Sequence, residues 1–312
     1  RKTAREAGVN HIQSSIDHVV RDDDKITAIT LKDGRQLSGG VFIDMTGSQA
    51  LLRRDPASPK GASMTYSAKN QASTDLGPAI RTLQAYSDGW SSSVRVRGQS
   101  IGLQVRLDAN IRNDKDMFSF QTGGRDKSWI GNCLALGLTA HQILPLTLTP
   151  IKLLLKDIQR LLNLIPVSDQ MDIEAREYNR SCAEDRLHAS LFDDAHYVGV
   201  DHPKTNFWEK MIPDQIHPKL DRKIKSFEAR GYHVAYDHEA FDDVDWAILH
   251  EGLGRMPKTA DALTRALDLS KQERRLVQMR GTIAAIVRKM PPHSLYMSKF
   301  LDYLERKQGL NG

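Results

Sequence analysis

Cysteine is almost missing from this chain of 312 residues, which has only Cys133 and Cys182. Two thiols are too few for a disulfide framework or a structural zinc site, and their scarcity suits a reducing, cytoplasmic setting. Aromatic residues are sparse too, at 6%. No basic run carries interleaved aromatics, so nucleic-acid binding would rest on phosphate contacts alone and is not expected. No apolar run reaches the roughly twenty residues of a membrane span. The longest, around Ile151 to Leu164, is broken by Lys152, Lys156, Asp157 and Arg160, so no membrane partner is expected. A charged-then-apolar leader is missing as well, and the chain begins at Arg1. Short catalytic templates are absent: there is no His-Glu-x-x-His, Gly-x-Ser-x-Gly, P-loop or Gly-x-Gly-x-x-Gly. The eleven histidines are scattered, and the nearest groupings, His196 with His202 and His233 with His238, lack metal-ligand spacing. No metal is expected.

What is present is a globular composition, 40% apolar and 27% charged, with a net charge of +5. The excess sits in residues 51 to 130, which hold twelve Lys and Arg against seven Asp and Glu. Ile26 to Leu31 reads as a strand, Asp33-Gly34 as a hairpin turn, and Val41 to Met45 as a second strand entering Thr46-Gly47. Gly47 ends that strand where backbone must approach something closely. Residues 53 to 88 have little periodicity and predict loops with one short helix near Pro78 to Tyr86. Val94 to Arg97 and Ile101 to Leu107 predict a hairpin around Gly98-Gln99-Ser100, with Arg95, Arg97 and Arg106 on one face.

The most informative stretch is 129 to 166, a buried strand, a compact turn region and the mouth of a long helix. Thr149 is placed as N-cap, Pro150 fits the first helical position, and an apolar stripe follows at Ile151, Leu154, Leu155, Ile158, Leu161 and Leu162. A helix mouth carries unpaired N–H groups and partial positive charge, which suit an anion or an electron-rich ring. An ordinary capped core helix has the same pattern. Beyond Pro166 the chain turns helical: Met171 to Val198 carries helical spacing through Tyr178, Cys182, Leu187 and Leu191. Ser270 with Glu273 forms a capping box before a helix that stops at Met290-Pro291-Pro292-His293, and a last helix is predicted over Ser294 to Lys307.

Residue order adds what periodicity lacks. Gly124-Arg125, Trp129, Asn132-Cys133, Gly137-Leu138, Pro145-Leu146, Thr149 and Ile151 together resemble the flavin-dependent tryptophan halogenase family. Phe42-Ile43-Asp44-Met45-Thr46-Gly47 looks like that family's Phe-Ile-Asp-Cys-Thr/Ser-Gly. Gly89-Trp90, Tyr178-Asn179, Phe207-Trp208 and Met290-Pro291-Pro292-His293 follow in the family's order, so the resemblance covers nearly the whole chain.

The resemblance implies an α/β (α+β) fold: an FAD-dependent monooxygenase-like mixed sheet with a mainly helical C-terminal portion. It implies two domains, residues 1–166 as the C-terminal part of an FAD-binding domain and residues 167–312 as a helical, substrate-side domain. The dinucleotide-binding glycines and the family's catalytic lysine would lie upstream of Arg1. It implies FAD, reduced by a partner flavin reductase, with chloride or bromide as co-substrate and a small aromatic, indole-type substrate to be halogenated; a homodimer is compatible with it. By position Leu138 and Ile151 match flavin contacts, Gly47 lies on the cofactor side, and Ile16 matches a contact at the adenine end. Thr147 falls at the substrate position, and Thr149 and Pro150 fall at the halide site.

Three departures stand out. Thr147 replaces the family's glutamate, Pro150 has no backbone N–H to offer a halide, and Ser92 replaces the second tryptophan of Gly-Trp-x-Trp. These leave open an FAD-dependent hydroxylase, or a catalytically inactive flavin-binding or interaction protein.

Overall fold

The computed structural model describes residues 2–72, 80–96, 99–107, 117–259 and 261–309. In chain order they form α1 (Lys2–Glu6), β1 (Ile16–Asp22), β2 (Lys25–Leu31), β3 (Gln36–Leu37), β4 (Phe42–Asp44), β5 (Ser58–Ala72), β6 (Thr82–Tyr86), β7 (Gly89–Val96), β8 (Gln99–Leu107) and β9 (Met117–Gly124). Then come β10 (Trp129–Ile130), β11 (Cys133–Ala135), β12 (His141–Gln142), α2 (Thr149–Asn163), α3 (Asp172–Asp194), α4 (Asn206–Met211), α5 (Pro218–Arg230), α6 (Asp243–Gly252), α7 (Leu269–Lys289) and α8 (His293–Gly309). This is a mixed α/β fold with a helical C-terminal part, as the resemblance implied. No described helix is long and apolar enough to cross a membrane.

The chain divides into two compact units, one of residues 1–61, 121–193 and 236–242, the other of 62–120, 194–235 and 243–312. In the first, β1, β2 and β3 form an antiparallel meander. Its second turn is the predicted Asp33-Gly34: Gly34 has φ +85° and donates its N–H to the Leu31 carbonyl at 2.9 Å. Strand β11 pairs in parallel with β4, Cys133 opposite Phe42, and antiparallel with β10. Behind these strands two apolar groups close the core. Ile26, Ile29, Leu31, Phe42, Leu52 and Cys133 form one; Trp129, Leu134, Leu136, Met171, Tyr178 and Cys182 form the other, with Leu154, Ile158 and Leu161 of α2 packed on it.

Polar side chains pin the strand ends. Asn132 reaches across to β2, accepting from the Ile26 N–H at 2.7 Å and donating to the Ile26 carbonyl at 2.9 Å, so its amide replaces a missing ladder rung. Gly131 beside it has φ +55°, and a Cβ there would sit 2.1 Å from the Asp24 carbonyl oxygen, so no other residue fits. Asp44, fully buried, accepts from Thr46 N–H, Thr46 Oγ1 and Leu52 N–H at 2.9, 2.6 and 2.8 Å. The motif ending in Gly47 is thereby closed by its own carboxylate.

In the second unit β5, β8, β7 and β6 run antiparallel in that order. Two expectations are corrected here. The loops foreseen from residue 53 onward include a fifteen-residue strand, β5, and the described part of the helix foreseen near 78–86 is strand β6. Neither has an apolar period of its own: each is held by a partner, Met64 to Ala72 opposite Leu107 to Gln99 and Thr82 to Tyr86 opposite Ser93 to Gly89. The predicted hairpin is present as β7 and β8, with Arg95 and Arg106 exposed; Arg97 and Gly98 lie outside the described residues.

Helices follow. Leu220, Ile224, Phe227, Trp246 and Leu249 are buried, and Lys223, also buried, donates to the Val234 carbonyl and lies 4.5 Å over the Trp246 ring. Helix α7 starts one cap earlier than the sequence suggests. Asp268, not Ser270, accepts from the Lys271 N–H at 3.0 Å; it caps as well as a serine does and stands three residues ahead of that donor. The next helix, α8, begins at His293 rather than Ser294.

Candidate functional site

The mouth of α2 is built from Thr147, Leu148, Thr149 and Pro150. The expectation that Thr149 caps the helix is corrected: Leu148 holds the cap position and makes no side-chain cap bond. Pro150, expected at the first helical position, therefore stands at the second, still within the first turn, where its missing N–H is tolerated. Three of the N–H groups here have partners within the chain. Thr149 donates its N–H to Thr147 Oγ1 at 3.2 Å, Pro150 has none, and the N–H groups of Ile151 and Lys152 both reach the Leu148 carbonyl, at 3.1 and 2.9 Å.

The Thr149 hydroxyl is freed from capping because a carboxylate offers a better acceptor. Asp193, near the end of α3 and only 7% exposed, takes the Thr149 hydroxyl at 3.1 Å and stands 3.4 Å from Thr147 Oγ1; the two hydroxyls are 2.5 Å apart. In the sequence Asp193 stands in the acid pair Asp193-Asp194, which could supply paired carboxylates but reads more readily as a solvated turn; the structure buries it. It lies 44 positions from Thr149, and nothing local marks it.

The apolar stripe of α2 divides. Leu154, Ile158 and Leu161 face the core, whereas Leu148, Ile151, Leu155 and Leu162 stand out at 57 to 60% exposure. Against this helix packs the tight turn Gly137–Thr139; a Cβ on Gly137 would come within 3.8 Å of Leu154. The turn carries Leu138, 52% exposed, and Thr139 ties it to the other predicted turn by donating its hydroxyl to the Gly47 carbonyl at 3.1 Å. Gly47 itself has φ +73°, a conformation that glycine adopts without strain. Thus Leu138, Gly47 and the helix that carries Ile151, Thr149 and Pro150 share one region of the first unit.

Beside Leu138 opens a cavity of about 160 Å³, walled by Ser48, Gln121, Gly124, Arg125 and His141 among others. Arg125 Nε donates to the Thr139 carbonyl at 3.0 Å. Its Nη1 lies 3.3 Å from Asp55 Oδ2 without a hydrogen bond, and both ring nitrogens of His141 also lack one among the described residues. Burial pushes the His141 pKa down to about 4, with the Arg186 guanidinium adding to the effect, so the ring is neutral at pH 7.

Behind the helix His141 Nε2 stands 3.7 Å from Asp157 Oδ2, and burial raises the Asp157 pKa in turn. Asp185, wholly buried, takes both Lys156 and Arg160 as ion-pair partners. Cys182 and Tyr178, beside Asp157, are held in their protonated forms by burial. These thiol and phenol groups are therefore poor nucleophiles. Ile16 stands apart from the Leu138 cavity. It lines a second hollow of the same unit with His18, Arg21, Arg53 and Arg54, where cations of one sign gather. Among the described residues no group of His, Cys, Asp and Glu side chains is arranged to hold a metal ion.

Comparison with known proteins places this geometry. The family model described as tryptophan halogenase matches residues 1–58 and 100–269, and the chain belongs to that family. Among curated proteins it is 21% identical over 301 residues to the tryptophan 7-halogenase RebH of Lentzea aerocolonigenes, spanning 80% of this chain and 56% of that one. It is 21% identical over 253 residues to the tryptophan 6-halogenase SttH of Streptomyces toxytricini, spanning 70% and 48%. The chain thus spans about half the length of the curated relatives it matches. Among solved structures BrvH, a flavin-dependent halogenase from Brevundimonas sp. BAL3, superposes with a TM-score of 0.87 at 26% identity, covering 96% of this chain and 66% of that one. Xcc4156, a flavin-dependent halogenase from Xanthomonas campestris, shares the fold with a TM-score of 0.85 at 22% identity and the same coverage.

Proposed function

We propose that this chain is part of a cytoplasmic flavin-dependent enzyme that halogenates a small aromatic, indole-type substrate, using FAD reduced by a separate flavin reductase together with oxygen and chloride or bromide. The observation that carries this reading is that Leu138 and Ile151 both stand exposed, one on a turn and the other on the helix it packs against. Large apolar side chains left in the open beside a polar cavity suit a flat heterocycle that is apolar on its faces and polar at its edge. Arg125 Nη1 and His141, buried without hydrogen bonds at that cavity, are groups such an edge would satisfy. FAD, when bound, supplies the oxidising chemistry; the residues of this chain orient it and keep water away. In this reading Leu138, Ile151 and Gly47 border the flavin ring, Ile16 and its arginine-lined hollow serve the adenine end, Thr147 faces the substrate, and Thr149 with Pro150 forms the halide end.

A second reading, hydroxylation without halide, is favoured by one observation: Pro150 offers no N–H, and those of Thr149, Ile151 and Lys152 are engaged within the chain, so they do not face an anion at the mouth of α2. One experiment separates the two. The full-length protein is supplied with FAD, a flavin reductase and a panel of indoles, with and without bromide, and products are read by mass spectrometry. Brominated product that vanishes without bromide is expected; oxygenated products indifferent to bromide would establish the hydroxylase.

A further inference from the structure

The interior of this site holds one carboxylate that the sequence reading did not use. Asp193 comes from α3, a different helix from the one whose mouth it meets, and its Oδ1 accepts from Thr149 Oγ1 at 3.1 Å with Thr147 Oγ1 at 3.4 Å. Thr149 is fully buried and Asp193 nearly so, so water screens the charge weakly. A carboxylate at the start of a helix also satisfies the positive end of its dipole. Donors that an external anion would use there are engaged: the Thr149 hydroxyl points to Asp193, the Thr149 N–H to Thr147, and the Ile151 and Lys152 N–H groups to the Leu148 carbonyl.

We propose that Asp193 is the specificity-determining residue at the mouth of α2: its carboxylate competes with small anions for the hydroxyls of Thr149 and Thr147 and holds halide affinity low. The inference rests on the reading that Thr149 marks the halide end of the site. Its physical content is separate from turnover. Removing the charge while keeping an oxygen in the same place should release the mouth for an anion, because two like charges close together in a weakly screened, buried site repel.

Bromide binding to the full-length protein, followed by the broadening of the bromide NMR line, tests this without any reaction. Asp193→Asn is expected to bind bromide at least tenfold more tightly than wild type, and adding Thr149→Val to that variant is expected to abolish the gain. Equal affinity of Asp193→Asn and wild type would overturn the proposal, and so would a gain that survives Thr149→Val, since the anion would then sit elsewhere. Because a substitution at a buried carboxylate can compromise folding, wild-type crystals soaked in bromide provide an independent check. An anomalous peak in contact with Thr149 Oγ1 is expected only at high bromide, and a strong one at low bromide would refute the idea. Failure of the halogenase reading looks different: Asp193→Asn would gain bromide affinity while neither protein formed a brominated product.

Discussion

His141 carries a consequence that reaches the stability of the whole chain. Its ring is 4% exposed, has no hydrogen bond among the described residues, and titrates near 4 rather than its usual 6.5. Between those values the unfolded chain binds a proton that the folded chain refuses, so stability must fall as pH falls from 6.5 toward 4 and level off below. The fall amounts to about 3 kcal/mol at most for this site. Urea unfolding at several pH values checks it: His141→Gln should flatten the slope in that window, whereas an unchanged slope would mean that the ring is accessible to protons in the folded state. At this scale the sequence was partly legible. Pro150 and Gly34 announced their positions because each obeys a local backbone rule. Asp193 and His141 did not, because what makes them unusual is burial beside residues distant in sequence.

Among the elements, those with their own period were readable and those made by partners were not. Strand β2, the hairpin at Asp33-Gly34, and helices α2 and α3 all carry apolar spacing or turn chemistry within a short window. Strands β5 and β6 do not, and only pairing with β8 and β7 makes them strands. The stripe on α2 was read as one face. It is two, Leu154, Ile158 and Leu161 inward and Ile151, Leu155 and Leu162 outward, a distinction that composition cannot make. Asn132 shows how elements are locked together. Its amide replaces a rung between β2 and the β10–β11 turn, and truncating it strands the Ile26 N–H and carbonyl in a buried setting. Asn132→Ala should therefore cost about 2 to 4 kcal/mol, measured by chemical denaturation. A loss under about 1 kcal/mol would show that the two groups find other partners.

At the scale of the molecule the family was legible before the fold was, because its markers are backbone and packing residues spread through the chain. Asp44 closes the Gly47 turn, Trp129 and Tyr178 meet edge to face in the core with ring centres 5.6 Å apart, and Asn179 brackets the Trp129 backbone, accepting from its N–H and donating to its carbonyl, both at 2.8 Å. Such residues hold whatever the chemistry becomes. The positions proposed to decide chemistry, Thr147, Pro150 and Asp193, are those whose roles spacing does not reveal. Family membership and the details of the α2 mouth therefore speak to different questions, the first to what the site was shaped to hold and the second to which anion it admits.

The central claim is that Leu138 and Ile151 border a flavin ring. It is tested most directly by FAD titration of the full-length protein, wild type against Leu138→Asp and Ile151→Lys, followed by flavin fluorescence. Both side chains are more than half exposed, so the variants should fold as wild type does, and far-ultraviolet circular dichroism verifies it. Loss of apolar contact and an added charge beneath the ring should weaken FAD binding at least about tenfold, some 1.4 kcal/mol. Unchanged affinity in both variants would contradict the account.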